Sequence, residues 1–305
     1  MSEVRDYSIV MRKLRRFFED RGWCELDTHG RLSILSVGTN TNTFCTYNYG
    51  GEVWPLPYTA QRWLEKELLL NPDVPGVFCV GTSYRGDTIV PVLEFEMRGD
   101  GKELVILEEL LVYLGFGGIT AQVDSGVVEF MENTRTLGWN IKQSDDPDRI
   151  RNVDIRLHGE ETITAAEHAT NKEEMREEFY KISGGDYAKS LFSNFTKDRV
   201  VKELERFLTY DMVERCGGSM DVNRMIRAMR MSNILYDVVV EEVMVEENVE
   251  ENVEEEILKY VSTKKSRCWG LPVAAKKTGG AVGSLLAGAL VSGGENMIEM
   301  AVNSI

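Results

Sequence analysis

The five cysteines, Cys24, Cys45, Cys79, Cys216 and Cys268, are scattered, odd in number and without a CxxC pair. That excludes zinc-ligand spacing and argues against a secreted disulfide framework. No run of about 18 apolar residues is present, so no membrane-spanning helix is expected. The first residues lack the apolar core of a signal peptide, and the expected location is intracellular, in the cytoplasm. Basic residues are outnumbered by acidic ones, 35 to 50, and the net charge of −15 argues against a general nucleic-acid clamp.

Apolar residues make up 43% of the chain, enough for a packed core. Val10, Leu14, Phe17 and Phe18 recur at helical spacing between charged residues, which predicts an amphipathic helix over 8–21 ended by Gly22. Residues 23–28 alternate like a strand, and 36–53 suit loops or a short hairpin. A second helix is predicted over 59–70. Strands follow at 77–84 and 92–98, joined by a linker over 86–91. Helices are predicted over 102–114 and 197–213, and a glycine turn leads into another over 221–231. The intervening stretch 120–175 is expected to be peripheral α/β structure. The core is expected to span 1–235.

Residues 236–262 are strongly acidic, with Val245, Val249, Val253 and Ile257 recurring every four positions. This pattern suits one helix, either solvated along one edge or binding a partner. A glycine-rich tail over 263–305 is expected to be flexible or packed in an interface.

Arg85 follows the apolar run Val77-Phe78-Cys79-Val80, and Arg224 follows Gly217-Gly218 at a helix start. Two such guanidinium groups could grip a nucleotide's phosphates, because each stays charged and offers a planar fork of donors.

Taken in order over residues 8–231, these segments resemble the catalytic core of class II aminoacyl-tRNA synthetases. The likeness is to the aspartate, asparagine and lysine branch, and within it to the short asparagine synthetases that lack an anticodon-binding domain. Arg15–Trp23 resembles the first family motif, Val77–Asp87 with Leu93–Gly99 the second, and Gly217–Arg224 the third. Leu56–Gln61 and Ile182–Asp186 resemble substrate-pocket segments, the latter a strand. The resemblance implies an α+β fold, an antiparallel sheet flanked by helices, dimeric through the first helix and its strand.

The resemblance also implies roles. Arg85 would hold the α-phosphate of ATP, and Arg224 the adenine side and γ-phosphate. Gln61, Asp87, Glu94, Phe95, Gly184, Gly185, Gly217 and Gly218 would line the substrate pocket, and Asp186 would hold Mg²⁺. Phe95 could stack on adenine or belong to the core strand. The implied reaction is ATP-dependent ligation of aspartate and ammonia through an aspartyl-adenylate. The alternatives are a non-catalytic paralogue serving as an interaction or structural subunit, and an aminoacylating enzyme, with the missing anticodon domain and acidic charge against tRNA.

Several positions depart from the family pattern. His29 stands where a proline is usual, and Ser219 and Asp221 replace glycines. The segment between Arg85 and Glu94 is short and lacks a basic residue. Tyr180 or Lys181 replaces an expected glutamate, and Tyr187 an expected arginine. A carboxylate at Asp221 would repel phosphate.

Overall fold

The computed structural model describes residues 3–28, 32–34, 45–99, 103–117, 127–132, 139 and 152–235. The acidic helix expected over 236–262, the tail over 263–305 and His29 lie outside them.

The periodic apolar face at the start of the chain forms α1, Glu3–Glu19, with Val10, Leu14, Phe17 and Phe18 buried. It begins five residues earlier than the spacing predicts. Gly22, at φ 73°, turns the chain out of it into the short strand β1, Cys24–Glu25. β2 (Thr46–Tyr49) and β3 (Glu52–Pro55) form a separate hairpin, turned by Gly50 and Gly51 at positive φ, as a tight hairpin requires. Helix α2 spans Gln61–Leu70.

β4 (Gly76–Arg85) and β5 (Thr88–Arg98) then pair along their whole lengths. Only Gly86 and Asp87 separate them, so the linker expected over 86–91 is largely strand. α3 covers Glu103–Leu114. Next come β6 (Val128–Glu132), β7 (Asn152–Leu157) and β8 (Glu160–His168). Helices α4 (Lys172–Lys181), α5 (Asp186–Phe195) and α6 (Lys197–Phe207) lead to β9 (Arg215–Asp221) and α7 (Val222–Met231).

The main sheet has seven strands in the order β1-β4-β5-β9-β8-β7-β6. β1 runs parallel to β4 and every other pairing is antiparallel. The expected antiparallel sheet flanked by helices is present. Two local expectations are corrected. The described part of 120–175 is not peripheral: β8 lies directly beside β9, and this part supplies three strands. Gly217 and Gly218 are not a turn but sit inside β9. A Cβ at Gly217 would collide with Glu96 Oε2 and Gln61 Nε2 and lie 2.6 Å from the Phe95 carbonyl. Glycine is used there for close approach rather than for bending.

Side chains along a strand alternate between faces. Phe78, Leu93, Phe95, Ile163, Ala165 and Met220 point into the main core, against apolar residues of α1, α3 and α7. Val77 and Cys79 point the other way, onto Leu64 and Leu68 of α2. A second cluster within α4–α6 buries Met175, Phe179, Leu191, Phe195, Leu204 and Phe207. No helix among the described residues is long and apolar enough to cross a membrane.

Candidate functional site

The same alternation sorts the expected site residues. Cys79 lies opposite Glu94, which lies opposite Ser219; Val77 lies opposite Glu96, which lies opposite Gly217. Glu94, Glu96, Gly217 and Ser219 therefore share the α2 face. Phe95 lies on the other face, fully buried near Phe18 and Trp23 with ring centroids 5.8 and 6.1 Å away. It is a core residue, so the adenine-stacking option is corrected. A Cβ at Gly218 would also point to the core, 2.9 Å from Phe95 Cζ and from Ala165 Cβ.

β4 and β9 each run antiparallel to β5 between them, so both finish at the same end of the sheet. Arg85 is the last residue of β4, and Arg224 sits in the first turn after β9. The two expected phosphate ligands therefore share an end of the sheet. Their states differ. Arg85 Nε donates to Ser83 Oγ at 2.9 Å, and its guanidinium lies 5.0 Å from the Tyr58 ring centroid. Its two terminal nitrogens make no hydrogen bond among the described residues. Arg224 is engaged on both sides: Nη1 donates to the Glu161 carbonyl, and Nε is 3.3 Å from Asp221 Oδ2. Asp87 is exposed in the turn beside Arg85.

The segment entering α2 is fastened across the tops of β4 and β5. Tyr84 N–H donates to the Pro57 carbonyl at 2.8 Å, and Ser83 Oγ donates to the Tyr58 carbonyl at 2.6 Å. Thr59 Oγ1 donates to Glu94, and Ala60 N–H donates to Glu94 Oε2 at 2.6 Å. Burial pushes the Glu94 carboxyl up from its ordinary value, against the pull of Thr59, Ala60 and Arg85. Gln61 donates to Glu96 and covers Gly217. Gln61, Glu94 and Gly217 thus lie on one face, with Gln61 bonded to Glu96 and Glu94 to Thr59 and Ala60.

Further along this face lies a buried ionic cluster. Arg215 Nη2 donates to Glu65 Oε2 at 2.6 Å, and its Nε is 3.5 Å from Glu96 Oε1. Arg62 pairs with Glu65 Oε1 and lies 4.4 Å from the Trp139 ring centroid. His168 Nδ1 is 2.9 Å from Glu96 Oε1. Burial alone would raise the Glu65 pKa, but Arg62, His168 and Arg215 hold it down at about 2. Burial raises the Glu96 carboxyl, and Glu65 adds to the rise.

Glu65, Glu96 and His168 are the described residues that could jointly reach one metal ion, with ligand atoms within 4.8 Å of one another. Two guanidinium groups already neutralise the two carboxylates, and a divalent ion would add uncompensated charge to a buried site. The cluster does not fit a metal. Nor does Asp186. It is exposed at the start of α5 and bonded to Lys189 Nζ at 3.0 Å. Ile182–Gly185 forms a 3₁₀ turn rather than a strand, with Ser183, Gly184 and Gly185 at positive φ. Gly184, Gly185 and Asp186 therefore belong to the helical segment, where Tyr187 is buried.

Sequence reasoning passed over Glu65, Arg62, His168 and Arg215 as site-face residues. It also passed over the part played by Ser83 and Tyr58. The Glu94-Phe95-Glu96 alternation was a usable signal, since a period of two puts both carboxylates opposite the ring.

In fold, the sheet and its flanking helices are similar to solved class II aminoacyl-tRNA synthetases. The chain is similar to the asparaginyl-tRNA synthetase of Pyrococcus horikoshii complexed with asparaginyl-adenylate, with TM-score 0.56 and 14% identity over 73% of this chain and 64% of that one. It is similar also to the asparaginyl-tRNA synthetase of Entamoeba histolytica in complex with asparaginyl-adenylate, with TM-score 0.53 and 13% identity over 77% and 65%. For the aspartyl-tRNA synthetase of the same organism, the TM-score is 0.53 and the identity 12%, over 74% and 55%. The match thus spans less than two thirds of each neighbour. No protein-family model and no curated protein matches the chain.

Proposed function

We propose that the chain is an ATP-dependent ligase that converts aspartate and ammonia to asparagine through an aspartyl-adenylate. An oxygen of the aspartate side-chain carboxylate attacks the α-phosphorus, and pyrophosphate leaves with the electrons of the broken P–O bond. Ammonia then attacks the acyl carbon and loses a proton, and AMP departs with the C–O pair. The observation that carries this reading is Arg85, whose guanidinium fork is steadied at Nε while both terminal nitrogens make no hydrogen bond among the described residues. Such a fork would bind the α-phosphate and offset the charge that builds there during attack. Mg²⁺ is taken to arrive with the nucleotide, without Asp186 as its ligand. The homodimer expected through α1 and β1 belongs to the same proposal.

The test is product analysis. The protein with ATP, Mg²⁺, aspartate and ammonia should form asparagine and AMP in equal amounts. ATP turnover without asparagine would defeat the assignment of ammonia as acceptor.

A second reading, a non-catalytic synthetase-fold subunit, is favoured by one observation. Asp221 occupies Arg224, the partner in the expected phosphate grip. Absence of nucleotide binding at millimolar ATP would support that reading.

A further inference from the structure

We propose that Ser83 is the positioning residue that holds Arg85 in its phosphate-binding orientation, with the Tyr58 ring as the second support. The inference rests on the phosphate-grip reading of Arg85. Ser83 and Arg85 are two residues apart on β4, so both side chains emerge on the α2 face.

Ser83 is almost entirely buried, at 1% exposure, on the face where the same strand buries Val77 and Cys79. A serine hydroxyl has one proton to give. Ser83 gives it to the Tyr58 carbonyl at 2.6 Å, so towards Arg85 the oxygen can only accept. It accepts from Nε at 2.9 Å. The Tyr58 backbone is itself held by the bond from Tyr84 N–H to the adjacent Pro57 carbonyl. The ring of the same tyrosine, 5.0 Å from the guanidinium carbon, lies within cation–π range. One nitrogen is thereby fixed, and the two others, without a hydrogen bond among the described residues, can meet an anion. Freezing a flexible arginine before the ligand arrives reduces the ordering cost of binding.

The test is a double-mutant cycle on ATP binding by the full chain, read by titration calorimetry. Arg85→Ala, Ser83→Ala and the double variant are compared, with melting temperatures alongside. Ser83→Ala should weaken ATP binding about fivefold to tenfold, as the loss of one charge-assisted hydrogen bond implies. In the Arg85→Ala background it should have no further effect, because the hydroxyl acts only through the guanidinium. Ser83→Thr, which keeps the hydroxyl, should restore most of the affinity. Equal losses from Ser83→Ala with and without Arg85 would overturn the proposal. So would unchanged ATP binding by Ser83→Ala when Arg85→Ala weakens it. Should Ser83→Ala not fold, Tyr58→Leu keeps the carbonyl and removes the ring, and it should give a smaller loss that also vanishes without Arg85. If Arg85→Ala leaves ATP binding unchanged, the phosphate grip itself is wrong and the positioning role goes with it.

Discussion

Asp221 holds Arg224 at two points: one carboxylate oxygen accepts the Arg224 backbone N–H at 3.0 Å, and the other lies 3.3 Å from its guanidinium Nε. The first contact is an N-cap for α7, with Asp221 in extended conformation, and it explains why an acid stands where a glycine was expected. The second neutralises a cation that the proposed chemistry would use.

Asp221→Ser separates these two effects. Serine caps as well as aspartate, so stability should change by less than about 0.5 kcal/mol, while the Arg224 guanidinium loses its carboxylate and keeps only its bond to the Glu161 carbonyl. ATP affinity should rise about fivefold, the scale of a partly exposed ion pair. Calorimetric titration of the two proteins measures this. Unchanged affinity would mean that Arg224 takes no part in nucleotide binding.

The buried cluster around Glu65 should be the most fragile polar feature. Arg215→Met leaves Glu65 and Glu96 without the cation that bridges them, and should cost about 3–5 kcal/mol. Urea unfolding would register the loss as a lower midpoint. A loss below about 1 kcal/mol would show that the carboxylates are neutral or solvated.

Asn152 is 95% buried on β7, opposite Ala166, and among the described residues neither the oxygen nor the nitrogen of its side-chain amide has a hydrogen-bond partner. Replacing it by leucine removes that penalty at similar volume. Asn152→Leu should therefore stabilise the protein by about 1 kcal/mol in the same urea assay. Destabilisation would reveal a bound group satisfying the amide.

Two of the site-face carboxylates, Glu65 and Glu94, should bend the pH profile of stability in opposite directions. Between about 2 and the ordinary 4.5, unfolded Glu65 is protonated while folded Glu65 is not, so stability rises with pH. Glu94 has a raised folded-state pKa. Above 4.5 the folded chain keeps a proton that the unfolded chain has lost, and stability falls until pH passes the raised value. Glu94→Gln should flatten that fall, and Glu65→Gln should flatten the acid-side rise, in unfolding measured across pH. A Glu94→Gln profile identical to wild type above 4.5 would contradict the assignment.

Local patterns made much of the fold legible. The Val10-Leu14-Phe17-Phe18 spacing gave α1, and the β-branched and aromatic residues of 77–84 and 92–98 gave the central hairpin. β9 was hidden because its glycines look like a turn. Their small size answers Glu96 and Gln61 packed above the strand, neighbours that no local window contains. Gln61, Glu94 and Gly217 were grouped only through the resemblance, and the structure sets them on one face of the sheet. Glu65 and Arg215 are 150 positions apart and meet only because the sheet order brings β9 beside β5. Asp186 was misplaced for the converse reason: a Gly-Gly-Asp string reads as a pocket segment wherever it falls, while here it starts a surface helix.

The central claim, a phosphate grip at Arg85 serving adenylate formation, is tested most directly by aspartate-dependent exchange of pyrophosphate into ATP. Wild-type protein should catalyse the exchange, and Arg85→Ala should lose it by about a hundredfold or more, as removal of a charged transition-state contact implies. Equal exchange by both proteins, or none by the wild type at saturating aspartate and ATP, would contradict the account.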